Sequence, residues 1–436
     1  MYYLFITILL LVTLITFIYR KKAILFLPLL NLVVDLSFNL FERSMFTDAG
    51  VSVPAIFRFL ILFIIITFFY RQLSTTKYPA MFWPFFIYSF ILCFFSSNIF
   101  LSLKNYSQLF LTIMMFPIGF IFFNEEEKLR KFFQFSKYVI AIYVVSFILG
   151  NIFSIGTRSF GYSRELDDTV GFISGGGTYA GGVIVALLPL ILSLDRTKKE
   201  KVITLLLGTL FIIGVVLTAR RTAVLIPLIG LITFLIFSKI KIKMLLSIVF
   251  AGLVFIIISP IIVDKIVERI EVRSDMGKFD PDFFEREGRY YDWLVAINQA
   301  TSFDEPLKAL FGRDQFADGG ILYGSVLKRM THNDFAVFLK GSGIIGFLLY
   351  ISLILSLFIF YPIGLKSKNI NLNIFKITFL ALLFILISVS VNGGYNNISY
   401  RSILFLLLGG IARILYEIRI KITNSTAGGI SHLSDH

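Results

Sequence analysis

At 436 residues, with 57% hydrophobic and only 16% charged positions, 50 phenylalanines and a mean hydropathy of +0.85, the chain carries more apolar surface than a water-soluble core can enclose, so it requires lipid as its solvent. The net charge of +14 does not mark a nucleic-acid binder, because it is partitioned. Residues 264–330 hold ten Lys/Arg and thirteen Asp/Glu, a net of −3, while the rest of the chain carries +17, mostly in short connectors, which is the positive-inside signature of a membrane protein.

A helix needs about 20 apolar residues to cross the hydrocarbon with every backbone N–H and C=O paired internally. The pattern recurs at roughly 2–18, 23–41, 51–69, 79–95, 106–123, 138–156, 176–193, 202–218, 222–238, 243–263, 341–361, 374–391 and 400–415, about thirteen spans. The first is expected to be a retained span and not a signal peptide: no small-residue cleavage site follows it, and Arg20, Lys21 and Lys22 lie on its C-terminal side. Lys/Arg-rich connectors fall after every odd span, from Arg20-Lys21-Lys22 through Lys198 to Lys201 and on to Arg419 and Lys421. That alternation predicts an N-terminus outside and a C-terminus in the cytoplasm. The expected fold is all-α: a single polytopic transmembrane domain over 1–421, a large, partly helical outer loop at about 264–331, and a flexible tail over 422–436. Cys93, the only cysteine, sits in an apolar segment and excludes an intrachain disulfide or thiolate metal site.

Three outward segments differ from ordinary turns. Thr157 to Gly182 carries Arg158, Arg164, Glu165, Asp167 and Asp168 ahead of a glycine-rich helix entry. Gly175-Gly176-Gly177 and Gly181-Gly182 lack the Lys-Ser/Thr ending of a phosphate-binding loop and read as helix-packing positions. Arg220-Arg221 is a guanidinium doublet on the side where positive charge is normally scarce. Both side chains can snorkel to headgroups, or they can form a phosphate clamp, since the planar fork of arginine suits phosphoryl oxygens. In the long loop, Phe284 to Leu294 reads as an amphipathic helix with Arg289 and Trp293 one turn apart and Arg286 a turn earlier. Surface ion pairing explains that mixture of charges equally well. His332 is the one histidine outside the polar tail; His432 and His436 are the others. Thr331-His332-Asn333-Asp334 precedes an apolar run, so it reads either as a helix cap or as a site where an imidazole of ordinary pKa about 6.5 takes a proton from a hydroxyl. No zinc-like ligand spacing accompanies it, so no metal or other cofactor is expected. Arg58 and Lys340, near the starts of their spans, are further candidate cations.

In this order, Leu217-Thr218-Ala219-Arg220-Arg221-Thr222-Ala223, Gly288-Arg289 with Trp293, and Thr331-His332-Asn333-Asp334-Phe335 followed by Gly341-Ser342-Gly343-Ile344-Ile345-Gly346 resemble the O-antigen ligases and the O-antigen or capsule repeat-unit polymerases of bacterial envelopes. The resemblance covers roughly 170–360, and the segment around Thr178 departs from it in lacking a Pro-Asn pair. It implies a metal-independent glycosyltransferase of the bacterial inner membrane with a periplasmic site. Catalytic roles fall to Arg221, Arg289 and His332, and substrate binding to Arg220, Arg286, Arg58 and Lys340. The donor would be an undecaprenyl diphosphate-linked glycan. The acceptor would be another lipid-linked repeat unit for a polymerase, the leading reading, or the lipid A core for a ligase. Membrane lipids and a chain-length regulator protein are the further partners implied, and nucleic acid is not one. A lipid-linked oligosaccharide flippase is the alternative from a different class; it would place its functional charges near the bilayer midplane.

Overall fold

The computed structural model describes residues 2–40, 53–74, 82–153, 175–217, 221–237, 288–302, 304–316, 321–323, 327–329, 333–362, 370–395 and 397–431. In chain order the helices are α1 (Tyr2–Tyr19), α2 (Leu27–Leu40), α3 (Val53–Leu73), α4 (Phe82–Cys93), α5 (Ile99–Ile113), α6 (Met115–Phe122), α7 (Glu126–Phe153), α8 (Gly175–Ala186), α9 (Leu188–Leu194), α10 (Lys198–Leu217), α11 (Arg221–Phe237), α12 (Gly288–Thr301), α13 (Pro306–Phe311), α14 (Asp334–Ser356), α15 (Ile370–Asn392) and α16 (Ile398–Ser431). Twelve of the thirteen expected spans coincide with described helices; the span at 243–263 lies outside the described residues. Five stretches among the described residues are long and apolar enough to cross a membrane by length and composition: Ala55–Leu73, Ile99–Phe122, Glu126–Leu149, Asp334–Phe360 and Leu372–Asn392. The protein is a predominantly helical membrane protein.

One detail departs from the all-helical expectation, and one helix runs longer than expected. The polar segment between α13 and α14 holds a two-stranded antiparallel hairpin, β1 (Ile321–Tyr323) and β2 (Leu327–Arg329), with Leu322 opposite Lys328. The last helix also continues to Ser431, past Lys421 where a flexible tail is expected; no proline interrupts it.

Helix α16 is the central post. Ile403, Leu404, Leu406, Leu407, Leu408, Ile411 and Ala412 are fully buried, the pattern of a helix enclosed by other helices. Between helices in lipid there is little hydrophobic driving force, so close backbone approach through small residues supplies the packing. A Cβ on Gly119 of α6 would collide with the Leu406 carbonyl, and one on Gly409 of α16 with the Phe116 carbonyl. The glycines of α8 serve the same purpose: Gly181 lies against the Phe211 ring, and Gly182 against Ala223, Ile226 and Pro227 of α11. Since Ala186 meets Gly230 farther along, α8 and α11 run parallel and their N-termini share one end of the bundle.

The polar loop is anchored to this bundle at a break in α14. Gly343 leaves the helical region (φ 65°, ψ −170°). The break leaves carbonyls without helical donors, and replacements arrive from outside the helix. The Lys340 carbonyl accepts from the Arg313 N–H at 3.1 Å and from Gln299 Nε2 at 2.8 Å, and the Ser342 carbonyl accepts from Tyr88 OH at 2.7 Å. The C-terminal end of α13 closes on the break so tightly that side chains at Gly312 (φ 76°) or Gly343 would meet backbone. Beyond it, Asp314 (φ 54°) and Phe316 (φ 59°) adopt left-handed backbone, costing on the order of 1–3 kcal/mol each where a side chain is present. The offsetting contacts are specific. Asp314 Oδ1 accepts from the Ser97 N–H at 2.8 Å, Asn105 Nδ2 donates to the Phe316 carbonyl at 2.7 Å, Ser102 Oγ donates to the Gln315 carbonyl, and the Phe316 ring packs on Phe338 and Tyr395.

Replacing Gly119 or Gly409 by leucine is expected to destabilise the protein by about 1–3 kcal/mol or more, because the obstruction is backbone. Gly182→Ala, whose new Cβ would find its nearest neighbours at 3.5 Å, should be close to neutral. Thermal unfolding of the purified protein in detergent measures the difference.

Candidate active site

The first turn of α16, Ser399-Tyr400-Arg401-Ser402, joins four helices. Arg401 is 1% exposed and ion-paired with the fully buried Asp334, the first residue of α14. Asp334 Oδ1 accepts from the Tyr395 N–H at 3.0 Å, and Tyr350 OH donates to Asp334 Oδ2 at 3.4 Å while lying 3.0 Å from Ser390 Oγ of α15. Arg401 Nε donates to Tyr400 OH at 3.3 Å, and the Tyr400 ring meets Tyr179 of α8 edge-on at 5.5 Å between centroids. Burying two charges costs several kcal/mol per ion unless each finds its partner and its remaining hydrogen bonds. Here the carboxylate has a guanidinium, a backbone N–H and a phenol, so its lone pairs are engaged.

A second buried pair adjoins the same turn. Arg58 of α3 meets Asp35 of α2 at 2.5 Å, Asp35 Oδ2 accepts from Ser399 Oγ at 2.8 Å, and Asn31 Nδ2 donates to the Ser399 carbonyl at 3.0 Å and to Ser402 Oγ at 3.3 Å. Arg58, expected as a substrate-binding cation, thus has its charge matched inside the bundle by a carboxylate that hydropathy alone did not single out.

The other candidates fall as follows. Arg220, Arg286 and His332 lie outside the described residues. Arg221 is the first residue of α11 and Arg289 the second of α12. Asn333, next to His332 in the chain, is the cap of α14: its Oδ1 accepts from the Ala336 N–H at 3.2 Å. Helix α12 packs on α14 through Trp293, Ala296 and Ala300 against Ala336, Leu339, Ile344 and Phe347, the i, i+3, i+7 face of an amphipathic helix. Lys340 sits on α14 with its side chain half-buried. The sequence therefore identified Arg289's helix correctly as amphipathic but did not identify its docking partner. It passed over Asp35, Asp334 and Arg401 as a connected set. Asp35 and Arg401 each carried a legible signal, a charge inside an apolar run.

The N-termini of α8, α11, α14 and α16 are brought to one end of the bundle by the Gly182–Ala223, Tyr179–Tyr400 and Asp334–Arg401 contacts. A helix N-terminus carries roughly half a positive charge, a setting that favours anions. Arg221 opens one of these helices, and the helix bearing Arg289 lies against another. Among the described residues no group of three or more His, Cys, Asp or Glu is gathered to hold a metal ion.

Residues 204–351, about a third of the chain, match the family described as O-antigen ligase. The matched segment includes Arg220, Arg221, Arg286, Arg289, His332 and Lys340, and excludes Arg58, Asp35 and Arg401. No curated protein matches the chain.

Truncating one member of the pair leaves a buried charge uncompensated. Arg401→Met or Asp334→Leu is expected to cost about 3–5 kcal/mol, whereas the double variant D334L/R401M, which removes both charges, should come close to wild-type stability. Denaturation of the three purified variants reads this non-additivity directly.

Proposed function

We propose that this chain, a member of the O-antigen ligase and repeat-unit polymerase superfamily through its residues 204–351, is a glycosyltransferase that lengthens lipid-linked polysaccharide at the periplasmic face of the bacterial inner membrane. The donor is a glycan on undecaprenyl diphosphate and the acceptor a second lipid-linked repeat unit. About thirteen spans, with the N-terminus periplasmic and the C-terminus cytoplasmic, would put the convergent helix N-termini and the large loop at 264–331 on that face. A chain-length regulator protein is a natural partner for such an enzyme.

The observation that carries this reading is the gathering of four helix N-termini with the Arg221 and Arg289 helices at one end of the bundle. Glycosyl transfer from a lipid diphosphate forms a bond between an acceptor oxygen and the anomeric carbon while the bond from that carbon to the diphosphate oxygen breaks. The electron pair leaves with the diphosphate, and the acceptor hydroxyl gives up its proton. Arg221 and Arg289, with Arg220, Arg286 and Lys340 assisting, stabilise the departing charge, and the helix termini add fixed dipoles that need no reorganisation. His332 orients the acceptor hydroxyl or takes its proton. Guanidiniums and dipoles together supply the electrophilic assistance that a metal ion gives in other transferases. Arg58, tied to Asp35, contributes through the framework.

Transfer to lipid A core is the second reading, favoured by the description of the matched family. Both reactions share donor chemistry and differ in the acceptor.

Purified protein given undecaprenyl diphosphate-linked repeat units in the presence of EDTA is expected to produce a ladder of longer glycans. His332→Ala and Arg289→Ala should each lower the rate by about 100-fold or more without loss of fold. Transfer only to lipid A core would replace the polymerase reading with the ligase one. Translocation of the lipid-linked unit with no glycan lengthening, or full activity in both variants, would overturn the assignment.

A further inference from the structure

We propose that the break in α14 holds a hydroxyl-binding site whose recognition group is the side-chain amide of Gln315. Its ligand is a neutral hydroxyl, that of a water molecule or of a saccharide. The site is argued from the atoms at the break and stands whether or not the chain transfers glycan.

The carbonyls around the break have protein donors. That of Lys340 accepts from Arg313 and Gln299, that of Ser342 from Tyr88, that of Gln315 from Ser102 and that of Phe316 from Asn105. Two side chains inside this shell do not. Gln315 is 2% exposed, and among the described residues neither its Oε1 nor its Nε2 has a hydrogen-bond partner; Ser342 of α14 is fully buried, and its Oγ is in the same condition. A buried polar atom left unpaired costs its whole desolvation, so folded proteins supply a partner, and where no protein group serves, a bound molecule does.

The amide is also aimed. Left-handed Asp314 and Phe316 flank Gln315, and their bonds to Ser97 and Asn105, with that of Ser102 to Gln315 itself, fix the backbone on both sides. Strained backbone of this kind is characteristic of ligand clamps. The amide is turned towards Gly341: of all atoms, Gln315 Oε1 lies nearest to where a Cβ on that glycine would stand, at 3.3 Å. At Gly312 and Gly343 a Cβ would run into backbone, whereas Gly341 is only half-buried. The packing therefore loosens at the point the amide faces. A carboxamide has no net charge and sets an acceptor beside two donors. Hydroxyls, which donate and accept, answer both atoms; an ion would surrender its hydration for a neutral partner.

The test uses full-length protein in detergent with isotope-labelled side-chain amides on its five glutamines. The Gln315 signals are assigned by their loss in Gln315→Met, or by their shift in Gln315→Asn where the methionine variant does not fold. NOE spectra are recorded in water alone and with excess N-acetylglucosamine. The Gln315 amide protons are expected to show a direct NOE to a long-lived water. Persistence of that signal in the sugar identifies water as the ligand, and its replacement by NOEs to sugar protons identifies a saccharide. Gly341→Val, which fills the space beside Oε1, is expected to abolish the NOE; Gly341→Ala, expected to weaken it, takes its place if the valine variant does not fold. Absence of any NOE from Gln315 to water or sugar in the wild type overturns the proposal, and so does a water NOE left unchanged by the substitution at Gly341.

Discussion

A guanidinium and a carboxylate sealed from water between α14 and α16 set the frame on which the remaining helices are registered. Lipid does not press helices together as water does, so a membrane bundle is specified by close packing and by polar ties whose alternative is an unsatisfied group in hydrocarbon. Helix α16 uses both along its length. Its first turn holds Asp334 through Arg401 and Asp35 through Ser399; its middle admits α6 at Gly409; farther on, Arg413 pairs with Glu417 at 2.5 Å and covers the Phe120 ring at 5.4 Å. Sliding any one of these contacts by a residue would break the others.

The same logic explains how a polar loop becomes part of a membrane structure. At Gly343 the backbone of α14 gives up its helical hydrogen bonds, which in lipid would be prohibitive unless donors replaced them. The donors come from Arg313 and Gln299 of the loop and from Tyr88 of α4. The glycines that permit the break also admit the backbone of α13, so one local irregularity both frees the carbonyls and makes room for their new partners. Left-handed Asp314 and Phe316 then turn the chain so that its own polar groups meet Ser97, Ser102 and Asn105. The segment that carries Arg289 is thereby fixed to α14.

Much of this was legible in the chain. Long apolar windows had only one stable solution in lipid, Phe284 to Leu294 read as an amphipathic helix, and Thr331-His332-Asn333-Asp334 ahead of an apolar run read as a helix cap. What stayed hidden depends on partners distant in sequence. Asp334 in Thr-His-Asn-Asp reads as another capping residue, and nothing local indicates an arginine 67 positions later. Asp35 and Arg58 sit in different spans, so each alone looks like an isolated intramembrane charge. Breaks inside spans were partly written in the sequence: Pro189 opens α9 after the break at Leu187, while the kink at Gly343 appears only as a Gly-Ser-Gly run that packing could equally explain. The β1–β2 hairpin had a turn signal in Gly324-Ser325, overlooked because the flanking segments are short.

Charge is used in opposite ways at the two ends of the bundle. At one end the basic side chains are neutralised by neighbours: Arg130 and Arg196 share Glu127, and Lys137 meets Asp195 at 2.5 Å while Thr204 Oγ1 donates to the same carboxylate. At the other end Asp334 is committed to Arg401 and Asp35 to Arg58. The N-termini of α8, α11, α14 and α16 meet at that end. The acidic groups of these two pairs are drawn inward, where they hold the helices in register.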